Sequence, residues 1–226
     1  MATIGDNLQA VRARIARAAQ AAGRDPAAVT LLAVSKSHPA AHVEQACAAG
    51  QRAFGENYVQ EALEKMDRLP AVEWHLIGPL QSNKTRLAAE RFDWVQTLER
   101  EKIARRLAER RPAGLARLNV LLQVNVSGER SKSGIAPHEV KRLAETVALL
   151  PRLRLRGLMA IPEPGAERAR YREVSALYQK LKGEFGFDTL SMGMSDDMEL
   201  AIAEGATLVR IGSAIFGARR TEKSVA

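Results

Sequence analysis

The chain has 226 residues, 46% of them hydrophobic and 27% charged, which suits a soluble globular protein with a sizeable core, in one large domain or two small ones. No run approaches membrane-span length and the single cysteine, Cys47, allows no intramolecular disulfide, so no membrane partner and a reducing, cytoplasmic compartment are expected. A net charge of +8 and a pI near 10.0 would suit a nucleic acid. However, the arginines are interleaved with glutamates, only the C-terminal "GARRTEKS" is locally basic, and 4% aromatics cannot form a base-stacking platform; no nucleic-acid partner is expected.

The opening "MATIGDNLQAVRARIARAAQAAGRDP" is Arg-rich and amphipathic, as transit peptides are. Leu8, Val11, Ile15 and Ala18 recur at helical spacing and Asp6 favours a helix start, so an ordinary first helix is the better reading. Short apolar runs then take turns with amphipathic helical stretches. "TLLAVSKS" (30–37) precedes a helix over 39–49, "RAFGEN" (52–57) one over 56–68, and "EWHLIG" (73–78) one over 83–91. "DWVQTL" (93–98) is followed by 99–111, "LNVLLQVNVS" (118–127) by 137–149, and "LRLRGLMAIP" (153–162) by 166–184. "TLSMGMS" (189–195) leads into 196–204, and "TLVRIGSAIFG" (207–217) is the last strand-like run. Pro137 and Pro164 lie near helix starts, Ser195-Asp196-Asp197 can cap, and Gly50 and Gly205 follow helix ends.

Several of the strand-like runs are apolar on both faces, as in a parallel sheet covered by helices. Eight strands alternating with helices point to a single (β/α)₈ TIM-type barrel with an extra N-terminal helix. A doubly wound open sheet is the competing arrangement. No linker, low-complexity tract or composition shift marks a second domain, so residues 1–226 are read as one domain.

Functional groups of a barrel gather where strands end and loops begin. Lys36 ends an apolar run; a lysine against an apolar wall is poorly solvated as a cation, and a neutral amine is what condensation with an aldehyde needs. The plainer reading is a lysine whose tip snorkels to water. Ser195, with Gly193 nearby, follows strand seven, and Gly212 and Ser213 end strand eight. Barrels often bind phosphate in these two loops, through backbone N–H groups and helix N-termini. A helix cap and a tight turn are the structural alternatives. Asp196 and Asp197 would repel an anion, so they should point outward or cap. Arg210 lies inside the apolar "LVRIG", where a guanidinium needs a partner that a cofactor nitrogen could supply. Asn57 ends strand two at the same mouth, or caps the next helix.

Other features carry less. His38 and His42 have i,i+4 spacing without further metal ligands. His75 reads as a satisfied structural histidine facing the barrel interior. "GERSKSG" lacks phosphate-loop spacing, leaving Lys132 as a solvated loop lysine. Cys47 reads as packed rather than nucleophilic. Asn83 and Asn125 match the glycosylation pattern by chance.

"LLAVSKS", "FGENYVQEALEK", "WHLIGPLQSNK", "VNVSGERSKSGI", "RGLMAIP", "LSMGMSDDMELAI" and "VRIGSAIFGAR" together resemble the pyridoxal phosphate homeostasis protein family over nearly the whole chain. The resemblance implies a barrel like the N-terminal domain of alanine racemase, carrying pyridoxal 5′-phosphate (PLP) as an internal aldimine on Lys36. It implies a phosphate site at Ser195, Gly212 and Ser213, Arg210 beside the pyridine nitrogen, and Asn57 near the cofactor. An arginine there disfavours a protonated ring nitrogen and so weakens the electron sink. The alanine-racemising relatives also use a second domain, which this chain is expected to lack. The implied protein is a monomeric PLP carrier that maintains vitamin B6 homeostasis and releases PLP to PLP-dependent apoenzymes, without strong catalysis. The alternative is a PLP-dependent amino-acid racemase acting from the barrel alone.

Overall fold

A computed structural model describes residues 2–69, 71–128, 133–163 and 165–217. Lys132 with most of its loop, Pro164 and the basic tail beyond Gly217 lie outside the described residues.

Helix α1 (Ile4–Ala21) begins with a reciprocal cap. The Thr3 hydroxyl accepts from the Asp6 N–H, and the Asp6 carboxylate accepts from the Thr3 N–H at 2.8 Å. Its buried stripe is Leu8, Val11, Ile15 and Ala19, each of the three larger side chains worth roughly 1.5–3 kcal/mol of burial. Ala19 takes the place expected of Ala18, which is only partly buried.

The alternation then runs β1 (Thr30–Val34), α2 (Ala40–Ala48), β2 (Ala53–Glu56), α3 (Val59–Met66), β3 (Glu73–Leu76) and α4 (Thr85–Arg91). It continues with β4 (Trp94–Leu98), α5 (Glu101–Arg110), β5 (Leu118–Val124), α6 (Val140–Ala148), β6 (Leu153–Ala160) and α7 (Arg168–Phe185). It ends with β7 (Thr189–Ser191), α8 (Met198–Ala203), β8 (Leu208–Ile211) and α9 (Ser213–Phe216). All neighbouring strands pair in parallel, in chain order, and β1 pairs with β8 from Thr30↔Leu208 to Ala33↔Ile211. The sheet is a closed eight-stranded barrel, not a doubly wound open sheet. No helix among the described residues is long and apolar enough to cross a membrane.

Several strands are shorter than their apolar runs. In "TLVRIGSAIFG" the strand stops at Ile211, and Gly212, at φ −115° and ψ −75°, turns the chain into α9. Ile215 and Phe216 stay buried beside α1, whose Asn7 amide donates to the Ile215 carbonyl at 2.9 Å. Burial without strand pairing explains why this segment reads as strand in the sequence.

Outward-facing residues such as Phe54, Trp74, Leu76 and Val95 form the main core with the helices. The barrel interior has two small apolar groups, Leu32–Ala53–Leu208 and Trp94–Leu121–Met159. A register shift between β5 and β6 pairs Val120 with Leu155 but Leu121 with Gly157, leaving Arg156 as an extra residue. Arg156 donates to both Asp188 oxygens at 2.7 and 2.8 Å and lies 4.6 Å from the centre of the Trp94 ring. Gly157 makes the bulge possible: at φ +149° a Cβ would stand 1.9 Å from the Thr189 carbonyl oxygen.

Candidate functional site

A cavity of about 320 Å³ opens where the strands end. Lys36, Asn57, Ser195, Arg210, Gly212 and Ser213 all line it, so the closed barrel brings together every candidate proposed above. Val34, His38, Ile77, Ile161, Met194, Asp196 and Gly217 complete the wall.

Lys36 stands two residues beyond β1, half-buried, in a turn closed by the His38 N–H donating to the Ser35 carbonyl at 3.1 Å. Ser37, at φ +62°, is the one non-glycine residue with positive φ among the described residues. Asn57 follows β2. The cap position of α3 belongs to Tyr58 and no side chain caps that end, so the helix-capping alternative does not apply. The segment just after β3 approaches Asn57 so closely that a Cβ at Gly78 would stand 2.2 Å from its carbonyl oxygen.

The loops after β7 and β8 meet at the Ser213 hydroxyl, 3.2 Å from the Ser195 hydroxyl. The first loop is held from behind. Arg14 of α1 donates to the Ser195 carbonyl at 3.2 Å and pairs with Glu199 at 2.9 Å. Asp197 neither points outward nor caps with its side chain. It occupies the first position before α8, but its carboxylate turns back to accept from the Met194 N–H and the Tyr171 hydroxyl. Burial and the adjacent Asp197 charge push the Tyr171 hydroxyl far above its ordinary range, so it stays a donor. Asp196 is exposed on the cavity rim. The α8 and α9 helices have 6 and 4 residues, so they supply little macrodipole. The groups these two loops offer an anion are hydroxyls and backbone N–H groups. Gly212 packs tightly, since a Cβ would come 3.2 Å from the Val34 carbonyl oxygen.

Arg210 is 4% exposed and donates to Ser191 Oγ at 2.8 Å and to the Ala160 carbonyl at 2.9 Å. Burial lowers its pKa to about 10, against the pull of Asp197 and Tyr171, which leaves it charged at neutral pH. The partner that the sequence reading sought in a ligand is partly the protein itself. Ser191 Oγ lies 2.7 Å from Gln96 Oε1, Gln96 Nε2 lies 2.8 Å from His75 Nδ1, and His75 Nε2 lies 2.8 Å from Glu73 Oε1.

These bonds have a fixed direction. Arg210 only donates, so Ser191 accepts from it and gives its own hydrogen to Gln96. The Gln96 NH₂ then faces His75 Nδ1, which accepts, and Nε2–H donates to Glu73. Burial lowers the His75 pKa below 6.5 despite Glu73, consistent with that neutral tautomer. Strands β4 and β7 are not neighbours, so the Gln96–Ser191 bond crosses the barrel interior. His75 is the satisfied interior histidine expected of it.

Sequence reasoning missed Ser191, Gln96, Tyr171 and Asp197 as supports of the site. The available signal was a polar residue inside "DWVQTL" and "TLSMG", at positions the period-two pattern turns inward. His38 was considered only beside His42. It lines the cavity, with ring centres of His42 and Phe216 at 5.6 and 5.2 Å.

The family described as "Alanine racemase, N-terminal domain" matches residues 7–220. The pyridoxal phosphate homeostasis protein of Pseudomonas aeruginosa is 63% identical over 223 residues, covering 97% of each chain. That of Escherichia coli K12 is 54% identical over 233 residues, covering 99% of this chain and all of its own. The structure of PipY of Synechococcus elongatus with PLP bound superposes with a TM-score of 0.82 at 36% identity, covering 95% of this chain and 100% of PipY.

Proposed function

The chain belongs to the alanine racemase N-terminal domain family and, within it, to the pyridoxal phosphate homeostasis proteins, and from that membership we propose that its barrel mouth holds PLP and that the protein carries and buffers this cofactor. The observation that carries the reading is one cavity presenting an amine, a pair of hydroxyls and a buried guanidinium. When bound, PLP supplies an aldehyde that condenses with an amine and a ring that delocalises electrons.

The residues present fit the group. Lys36 would hold the aldehyde end, Ser195, Ser213 and the Gly212 backbone the phosphate, and Arg210 the ring nitrogen, with Asn57 beside the cofactor. The cavity of about 320 Å³ is at the small end of ligand sites, roughly 300–1,000 Å³, which suits the cofactor with little room for a second reactant.

Carriage is favoured over catalysis by charge. Arg210 remains a cation at neutral pH, and a cation beside the ring nitrogen opposes its protonation. Tyr171, close enough to feel the Arg210 charge, is kept protonated by burial and Asp197 and is a poor base. We read the protein as a single-domain monomer of the cytoplasm that releases PLP to PLP-dependent apoenzymes.

Borohydride reduction after incubation with PLP, followed by peptide mapping, tests the assignment. The adduct is expected on Lys36 and absent in Lys36→Ala; no adduct, or one on another lysine, overturns it. Ser195→Ala and Arg210→Ala should retain PLP less tightly, and unchanged retention in both would reject their roles. Incubation with L-alanine in D₂O separates carrier from racemase: exchange at Cα above that with free PLP would favour the enzyme.

A further inference from the structure

The residues on either side of Lys36 are gripped by one buried charged cluster. Lys65, on α3, is 4% exposed, and its ammonium donates to the Ser35 carbonyl at 2.8 Å, Glu56 Oε1 at 2.7 Å and Glu61 Oε1 at 2.8 Å. Those three acceptors use all three of its N–H bonds. Glu56, the fully buried last residue of β2, also accepts from the Ser35 hydroxyl. Glu61 also accepts from the Ser37 N–H. The Ser35 N–H donates to the Gly55 carbonyl at 3.0 Å. Ser35 and Ser37 are thus tied to β2 and α3 while Lys36, between them, faces the cavity. Ser37 also holds a left-handed conformation that a non-glycine residue keeps only when its surroundings impose it.

A buried ion pair is weak evidence for stability, because desolvation offsets much of the attraction. Its three-way geometry here converges on a single turn. We propose that Lys65, Glu56 and Glu61 are positioning residues that aim the Lys36 amine at the aldehyde of PLP. This rests on the reading of the cavity as a PLP site. In the step concerned, the Lys36 nitrogen bonds to the aldehyde carbon, and its two hydrogens leave with the aldehyde oxygen as water. That step depends on where the amine stands, and a misplacement of about 1 Å can cost on the order of a hundredfold in rate.

The test separates attachment from binding. Pyridoxine 5′-phosphate has an alcohol where PLP has its aldehyde, so it reports only phosphate and ring contacts. Glu61→Ala removes an acceptor from both Ser37 and Lys65 at the partly exposed end of the cluster, where its side chain is 26% accessible. It is expected to slow borohydride-trappable attachment to Lys36 about tenfold or more while leaving pyridoxine 5′-phosphate affinity within about twofold. Glu61→Gln, which keeps an oxygen in place, should restore most of the rate. Lys65→Met should show a larger loss; should it fail to fold, the two Glu61 variants decide.

An unchanged attachment rate in Glu61→Ala overturns the proposal. So does an equal loss for both ligands, which would mark a general structural role. Wild-type protein forming no Lys36 adduct would instead sink the PLP reading itself, and the proposal with it.

Discussion

Gln96→Leu tests whether the polar chain under Arg210 acts as one unit. Gln96 is fully buried, and leucine is similar in size but apolar. The substitution removes the 2.8 Å bond to His75 Nδ1 and the 2.7 Å bond from Ser191 Oγ, leaving His75 Nδ1 without its donor and the Ser191 hydroxyl hydrogen without its acceptor. At about 1–3 kcal/mol for each unsatisfied group, the expected loss is about 2–6 kcal/mol. A domain typically has about 5–15 kcal/mol to lose, so the variant should fold but be markedly weaker.

Urea unfolding followed by Trp74 and Trp94 fluorescence measures this loss; both rings are buried, and Trp94 stacks on His75 at 4.9 Å. Ser191→Ala completes a double-mutant cycle. In the native background it strands Gln96 Oε1 and one Arg210 N–H. In the Gln96→Leu background it strands only the Arg210 N–H and removes a hydroxyl hydrogen that already lacks its acceptor, so it should cost less than in the native background. A coupling of about 1–3 kcal/mol is expected. A Gln96→Leu loss below about 0.5 kcal/mol, or single effects that add within about 0.5 kcal/mol, would refute the idea of a connected chain.

Two further outcomes follow from the same interior. Burial holds the His75 pKa below its ordinary 6.5, so as pH falls below that value the unfolded chain takes up a proton that the folded chain refuses. Stability should therefore fall with pH from 6.5 down to the folded pKa, by up to about 1.4 kcal/mol per pH unit. His75→Gln removes this contribution, and a flat stability difference between the two proteins from pH 7.5 to 5.5 would contradict it. For the bulge, Gly157→Ala forces a Cβ against the Thr189 oxygen and should cost about 3 kcal/mol or prevent folding. Gly183→Ala, in α7 with open space around it, should stabilise by about 0.5–1 kcal/mol. Equal melting temperatures for this pair would show that the close approach at Gly157 is relaxed at no cost.

The readable features of the sequence were those set by local rules. Parallel strands covered on both faces leave apolar runs, amphipathic helices fall between them, and the mouth residues follow from the strand ends. What could not be read depends on closure. Gln96 and Ser191 are 95 positions apart and meet only because β4 and β7 face each other across the interior. Lys65 looks like an ordinary basic residue in the last turn of α3 and is buried only because Glu56 ends the preceding strand beneath it. Asp197 looked like a cap because its real partner, Tyr171, comes from α7.

The hidden contacts also explain how a buried cation can sit at the mouth. Glu73 accepts from His75 and fixes its tautomer, which fixes the Gln96 amide, which takes the Ser191 hydrogen. Ser191 is left with a lone pair directed at Arg210. Each link donates toward Glu73, so the chain runs from a cation at the mouth to a half-exposed carboxylate at the start of β3. An arginine held in this way keeps its charge without a carboxylate in direct contact. On the proposed placement of the PLP ring nitrogen beside Arg210, that charge would oppose protonation of the ring.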